Sequence, residues 1–406
     1  MKLTKLSLAT SLLMAVSASA IDNVKVDGNA KLYYYTDDKS NISLFDKKSS
    51  RAQSSINVGL SANLIDKITV GARVQALSML GLENQLADQP WSGSTKDQWW
   101  MSDLWLASTI GNTTTKVGRQ KLDTPLAFTE GWTTAYNTFE AAVLLNSDLP
   151  DTTLVGAFLG ATNSSNDGWV TKDSSDGSSP FETYGNALLR QYLGDATALR
   201  GNGAYAAGVI NKSLPDTALQ AWYYDVNNIV TALWLQGDTT LAGITLGAMY
   251  ADLDPTGQLS QFKNTTGYAL QAKYNLSIVD LKAAYSNIDG DGTLSVKNTA
   301  GNGTKLYTEA WWWTGFVSTP GASSYNISAT FKTEYAEILA SYVSTNGAKK
   351  STAGETDFKE IALVATKSYG ALETSIAYIN DTVTGADKEN NGDSINSVQL
   401  YLTLNF

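Results

Sequence analysis

Arg73 lies in a stretch where Ile68, Val70, Ala72, Val74 and Ala76 fall on one parity, and Thr69, Arg73 and Gln75 on the other. A strand sends alternate side chains to opposite faces, so the guanidinium belongs to the polar face. Arg51 shares the polar parity of the preceding stretch, with Ser55, Asn57, Ser61 and Asn63. Asp103 and Lys282 read as facing the same polar side by the same logic. An arginine turned to lipid near a bilayer midplane would cost roughly 2–4 kcal/mol, so these charges point to water. The chemistry open to them is limited. The chain has no histidine, which excludes Ser-His-Asp hydrolysis, imidazole metal sites and most general-base schemes near neutral pH. It has no cysteine either, so there is neither a disulfide framework nor a thiolate site. What remains is electrostatics, a field acting on whatever passes between charged walls. For Arg51 and Arg73 two readings stay open, direct contact with a solute and salt bridging to other wall residues.

Three other places carry charge. The connection Leu122–Asn137 holds Asp123, Glu130 and Trp132, and would narrow a passage if it folded inward; its alternative is an outward, solvated loop. Arg119 shares parity with Val117, which conflicts with a regular strand. A bulge at Gly118 would resolve the conflict, and an ion pair from Arg119 to Glu140 would brace the loop base. That bracing role ranks above solute contact. Asp289-Gly-Asp-Gly292 looks calcium-like for two ligands only; it lacks the third spaced oxygen residue and the closing Glu, so it reads as a turn.

The elements that must hold these residues are strands. The last eleven residues place Val398, Leu400, Leu402, Leu404 and Phe406 on one parity, against Gln399, Tyr401, Thr403 and Asn405. The first strand sets Val24, Val26, Gly28, Ala30, Leu32 and Tyr34 against Lys25, Asp27, Asn29 and Lys31. An apolar terminal strand left free is an aggregation hazard, and pairing with the first strand closes a barrel. Between them run segments of about ten residues, the length a tilted membrane strand needs. Their connections alternate short and long, with Val226–Asn228 a brief exception on the long side and Asn346–Thr356 read as a long one. The count is eighteen strands with both termini on the short-turn side. Asp148-Leu-Pro-Asp-Thr152 and Ser213-Leu-Pro-Asp-Thr217 read as one recurring rim turn. The long connections are rich in Ser, Asn, Asp, Thr and Gly, as water-exposed, partly mobile segments are. Trp99-Trp100 with Trp105 suggests an interfacial girdle, whereas Trp311-Trp312-Trp313 reads as loop packing inside the mouth.

Residues 1–20 have the form of an export signal, with Lys2 and Lys5, an apolar run from Leu6 to Val16 and Ala18-Ser19-Ala20 before the cut. The single domain is then 21–406, with 27 basic against 39 acidic residues and a formal charge of −12. That acidity argues against nucleic acid as partner. The 20 Tyr, 33 Gly and only 7 Pro suit many strands and tight turns.

The run Val117-Gly-Arg-Gln-Lys-Leu-Asp-Thr-Pro-Leu126, followed by Tyr136-Asn-Thr-Phe-Glu-Ala-Ala-Val143 and Leu149-Pro-Asp-Thr-Thr-Leu154, resembles the OprD-type porin family. The whole chain, with its leader and terminal Phe406, resembles the major outer-membrane porins of Campylobacter and its relatives. The resemblance implies an 18-stranded barrel, often a homotrimer, whose third long loop folds inward. It also implies channels for small carboxylates or amino acids lined by arginines in some members; the five Arg here do not make a full basic ladder. Some Campylobacter-type relatives carry calcium near the constriction, but no ligand set matches here residue by residue.

The expectation is therefore an all-β transmembrane antiparallel barrel of about 18 strands with an inward-folded constriction loop. It would pass ions and small hydrophilic solutes by passive diffusion, its outer face against outer-membrane lipid and lipopolysaccharide. The rival is a plugged barrel serving as a surface structural protein or adhesin. An outer-membrane hydrolase and a secreted soluble β protein are weaker alternatives.

Overall fold

The computed structural model describes residues 22–83, 85–91, 97–131, 133–163, 181–193, 201–351 and 354–406. The leader expected at 1–20 and Trp132 lie outside the described residues. Among those described, eighteen strands make one closed antiparallel wall. They are β1 (Asp22–Asp37), β2 (Ser50–Ile65), β3 (Ile68–Ser78), β4 (Gln98–Ile110), β5 (Thr113–Gln120) and β6 (Phe139–Asn146). Then follow β7 (Thr152–Thr162), β8 (Ala204–Asn211), β9 (Thr217–Val226), β10 (Val230–Leu241), β11 (Ile244–Pro255) and β12 (Thr265–Asn275). The last six are β13 (Val279–Ile288), β14 (Ser323–Lys332), β15 (Glu337–Ser351), β16 (Gly354–Tyr369), β17 (Leu372–Gly385) and β18 (Ile395–Asn405). Two-residue strands at Gln89–Pro90 and Glu182–Thr183 pair onto β2 and β7 from the loops. No described helix is long and apolar enough to cross a membrane, so crossing is by strands.

Each strand pairs with the next, and β1 pairs with β18 from Asn29↔Asn405 to Asp37↔Ser397. Closure leaves no free edge, which answers the hazard of an apolar terminal strand. The chain end is pinned as well. Gly28 N–H donates to the Phe406 carbonyl at 2.8 Å, and Phe406 N–H returns a bond to Gly28 at 3.0 Å. A Cβ at Gly28 would stand 2.8 Å from the Phe406 ring and 2.2 Å from the Asn57 carbonyl, so only glycine fits this close approach.

The outer face carries the apolar parity: Val26, Ile56, Val58, Leu106, Leu270, Ile327, Leu363 and Leu404 are all exposed on the wall. The two Leu-Pro-Asp-Thr segments do form the same turn. Asp151 and Asp216 both have φ 52°, and Thr152 and Thr217 each donate Oγ1 to the preceding proline carbonyl at 2.9 and 3.0 Å.

Several expectations need correction. The connection expected at Asn346–Thr356 is ladder instead, since β15 and β16 run on to Ser351 and Gly354. The girdle is made chiefly by tyrosines: Tyr268, Tyr285 and Tyr325 stand side by side on adjacent strands, ring centroids 6.2 and 6.3 Å apart. Of the early tryptophans, Trp99 faces out but Trp100 is fully buried, and Trp105 points inward under Lys116. The long connections are not uniformly water-exposed either. Residues Tyr184–Leu193 form a helix, α1, that buries Tyr184, Ala187, Leu188 and Leu189. The seventh connection on the long side (289–322, L7) buries Leu294, Val296, Leu306, Phe316 and Val317 in the same core. Polar composition misled here, because these loops pack against the inner wall and each other.

Candidate functional site: the lumen and its constriction

The third long connection (121–138, L3) folds into the barrel. Its backbone is taken up by polar side chains of β1, β2 and β3: Ser55 Oγ donates to the Thr134 carbonyl at 2.8 Å, and Lys31 Nζ to the Thr133 carbonyl at 3.3 Å. The Gln75 side chain both donates to the Tyr136 carbonyl and accepts its N–H, each at 3.3 Å. Lys31, Ser55 and Gln75 all stand on the polar parity of their strands, which is why the loop finds donors there and not water.

L7 then locks onto L3. Asn298 Nδ2 donates to the Phe128 carbonyl at 2.8 Å and to Glu130 Oε1 at 2.7 Å, and Gly303 N–H donates to the same carboxylate oxygen at 2.9 Å. Glu309, the second carboxylate of this region, accepts the Thr304 N–H at 2.9 Å. Burial pushes its pKa up to about 7, offset in part by that amide; Glu130 pushes the same way as burial, and Lys305 and Lys282 oppose it. Further along L7, the carboxylate of Glu360 on β16 accepts the N–H groups of Trp311, Trp312 and Trp313 at 2.6–3.2 Å. The Trp311–Trp313 run therefore packs inside the mouth.

Below these two loops lies a cavity of about 580 Å³. Lys31, Lys282, Glu309 and Glu373 face it, among the hydroxyls of Ser328, Ser341, Thr366, Ser375 and Thr403.

The residues singled out from the sequence fall into different places. Arg73 faces inward and pairs with Asp27, with Asp103 at 3.7 Å and with Asn57 at 3.3 Å. Asp103 also receives the Tyr136 hydroxyl at 3.5 Å, so L3 is tied to this network. Lys121 stands over the Tyr136 ring at 3.8 Å; burial lowers its pKa and Asp103 opposes the shift. Arg51 is exposed at the long-loop end of β2, its guanidinium 5.9 Å from the Trp91 ring. Lys282 lines the cavity. Asp123 pairs with Lys305 at 2.7 Å. Glu130 is 3% exposed, a clamp between loops with little access to water.

Arg119 and Glu140 do pair, at 2.6 Å, but not in the lumen. Gly118 has φ 121° without any register shift, so Arg119 keeps the outward parity of Val117. Glu140 alternates with the inward, buried Phe139 and Ala141. The expected bulge is absent because pairing runs on through Gly118↔Trp105 and Gly118↔Ala141. The pair braces the loop base from outside, with the Phe181 ring 3.8 Å from the guanidinium.

Sequence reasoning missed Glu309, Glu360 and Glu373. Strand parity sets Glu360 with the inward Phe358 and Ala362, and Glu373 with the inward Ala377 and Ile379, and could have found both; Glu309, in a loop, had no such signal. Among the described residues no three carboxylates gather, so no calcium ligand set is assigned. Asp289 accepts the Asp291 N–H at 3.0 Å within its own turn.

The sequence pattern of the family described as Gram-negative porin matches residues 7–311. No curated protein matches the chain. Among solved structures, OccK8 (OprE) of Pseudomonas aeruginosa is similar at 15% identity and TM-score 0.72, over 96% of this chain and 99% of that one. OccAB1 of Acinetobacter baumannii follows at 13% identity and TM-score 0.72, over 96% and 98%. OpdQ of P. aeruginosa gives 14% and 0.71, over 95% and 99%. At these identities the likeness is one of fold, and it is the fold of the OprD and Occ porins; these matches do not bear on the resemblance to the Campylobacter porins. A closed, lipid-sided barrel with a charged lumen, carrying the family's sequence pattern over most of its length, does no bond chemistry. The chain belongs to the Gram-negative porin family, a channel of the outer membrane through which small solutes diffuse.

Proposed function

We propose that solutes are sorted at the cavity beneath L3 and L7, where Lys31 and Lys282 are set against Glu309 and Glu373. This mixed ring carries the reading. Cations and carboxylates in equal number give a weak field, so passage is limited first by size and only modestly by charge. The Arg73–Asp27–Asp103 network lies to one side of it and acts as wall bracing that also holds L3. Arg51, exposed at the long-loop end of β2, is a fixed charge at the mouth.

A chain read this way is made with a leader at 1–20, cut before Ile21, and assembles as a homotrimer with lipopolysaccharide around its long-loop rim. The leader pattern and the family resemblance support that part. The plugged-barrel alternative draws on the apolar core that α1 and L7 build inside the mouth. The polar cavity under that core favours the open channel. Planar-bilayer recording of the mature protein decides between them. Stepwise openings with a small reversal potential in a salt gradient support the mixed constriction; folded protein without conductance supports the plug.

A further inference from the structure

A continuous line of aromatic rings runs from the mouth to the constriction cavity. It starts at Trp91, under the Arg51 guanidinium, and passes to Trp312 with ring centroids 5.3 Å apart. Trp312 and Trp311 follow at 6.4 Å, and Trp311 and Tyr401 at 6.3 Å. All four rings are half-buried. The last three also line the cavity. The wall behind them is aromatic too: Tyr33 and Tyr35 of β1 pack on Trp91 at 5.1 and 5.2 Å, and both are buried. Two of the rings are fixed through the backbone, since the buried Glu360 carboxylate accepts the Trp311 and Trp312 N–H groups.

Neither the packing of a barrel nor the passage of ions calls for half-buried rings spaced in a row along the lumen. Such rings offer flat apolar faces to a solute that has a flat apolar face of its own. The groups around the lower end define the solute further. Two lysines stand against two carboxylates there, so the field favours neither sign of ion strongly. The remaining polar groups are neutral: Asn326, Ser328, Ser341, Thr366, Ser375 and Thr403. Hydroxyls and amides that both donate and accept suit a partner with a rim of hydroxyls.

We propose that this line is a sliding path for neutral polyhydroxylated rings, that is, sugars, which stack on Trp91, Trp312, Trp311 and Tyr401 in turn on their way to the constriction. The proposal rests on the open-channel reading, and its test separates the two.

The mature protein is inserted in a planar bilayer, and open-channel steps are recorded first without solute; these test the channel alone. Maltotriose is then added on the long-loop side. The expected result is transient current block that saturates with concentration. Trp312→Ala and, separately, Trp91→Ala should each raise the half-saturating concentration about fivefold; Trp312 lines the cavity, so only Trp91→Ala is expected to keep the wild-type open-channel step. Heat-modifiable migration of each variant establishes folding, and Trp91 lies in a loop outside the wall, so at least one variant stays interpretable. Polyethylene glycol of similar size, which has no rigid ring face, should block without saturation. An open channel that maltotriose does not block overturns the proposal. So does block that is unchanged in both variants, or a saturating block by benzoate with none by maltotriose.

Discussion

Glu360 receives the Trp312 N–H on both carboxylate oxygens, at 3.2 and 3.1 Å, while Trp311 and Trp313 each take one oxygen. One buried side chain thus answers three successive backbone donors that no ladder could satisfy. Glu360→Gln replaces one acceptor oxygen with an NH₂ that faces N–H groups. Leaving one or two buried donors unpaired costs about 1–3 kcal/mol each. The barrel, held by its ladders, should still migrate as a folded band before heating. The Trp segment should loosen, which acrylamide quenching of tryptophan fluorescence would detect as increased access. Unchanged quenching would mean that the carboxylate does not hold the segment.

Arg73 balances two carboxylates from different strands, Asp27 and Asp103. Arg73→Ala removes the cation and leaves both acids facing the lumen. Asp27 is largely exposed, so the loss should stay below the about 3–5 kcal/mol of a fully buried pair, and a modestly lower urea midpoint is expected. The sharper expectation is electrical. The reversal potential in a potassium chloride gradient should move toward cation preference, and Asp103→Asn should move it the other way. If neither variant moves it, the network lies off the ion path.

These two sites also show what the chain discloses before folding. Facing within a strand is local, a matter of period two, so Arg73, Asp103 and Lys282 could be assigned to the lumen from their immediate neighbours. The strand count was legible for the same reason, apart from the ladder extension beyond Asn346. Loop destination is not local. Glu130 looks like a constriction charge in sequence, yet it is buried by Asn298, 168 residues away. Polar composition marked L7 as solvated, whereas Leu294, Leu306 and Phe316 anchor it among wall residues. In α1 the helical spacing Tyr184, Ala187, Leu188, Gln191 was present, but it was hidden inside a loop rich in turn formers. Side chains whose setting is made by another loop carry no short-range signature.

Glu309 should make the channel pH-sensitive near neutrality. Its pKa is raised from the ordinary 4.5 to about 7, chiefly by burial. The folded form therefore holds a proton that the unfolded chain has released, and the stability contributed by L7 falls as pH rises from 4.5 to about 7 and is level above it. The same titration adds negative charge to the cavity that Lys282 and Glu373 share with it. Cation preference should therefore grow between about pH 6 and about pH 8 in the wild type. In Glu309→Gln that rise should vanish. A rise that persists in the variant would assign the titration to another group.

Arg119 and Glu140 provide the test of facing itself. Both stand on the outward parity, next to Val117 and Ala142, and their 2.6 Å pair leans on the Phe181 ring. If the pair lay in the lumen, removing it would alter conductance or selectivity. Outside the wall it should alter neither, so the double variant Arg119→Ala with Glu140→Ala should keep wild-type steps and reversal potential. The single variants should differ from each other and from the double. Glu140→Ala strands a guanidinium at the outer wall, and an unpaired arginine there costs about 2–4 kcal/mol near the midplane, falling to about 0–1 kcal/mol near the interface. Arg119 stands at the long-loop end of β5, one residue before the strand ends, so the interfacial end of that range applies. The urea midpoint of Glu140→Ala should fall only slightly, and Arg119→Ala should fall less, because a lone carboxylate is tolerated better than a lone guanidinium. A conductance change in the double variant would place the pair inside the channel and overturn the outward facing.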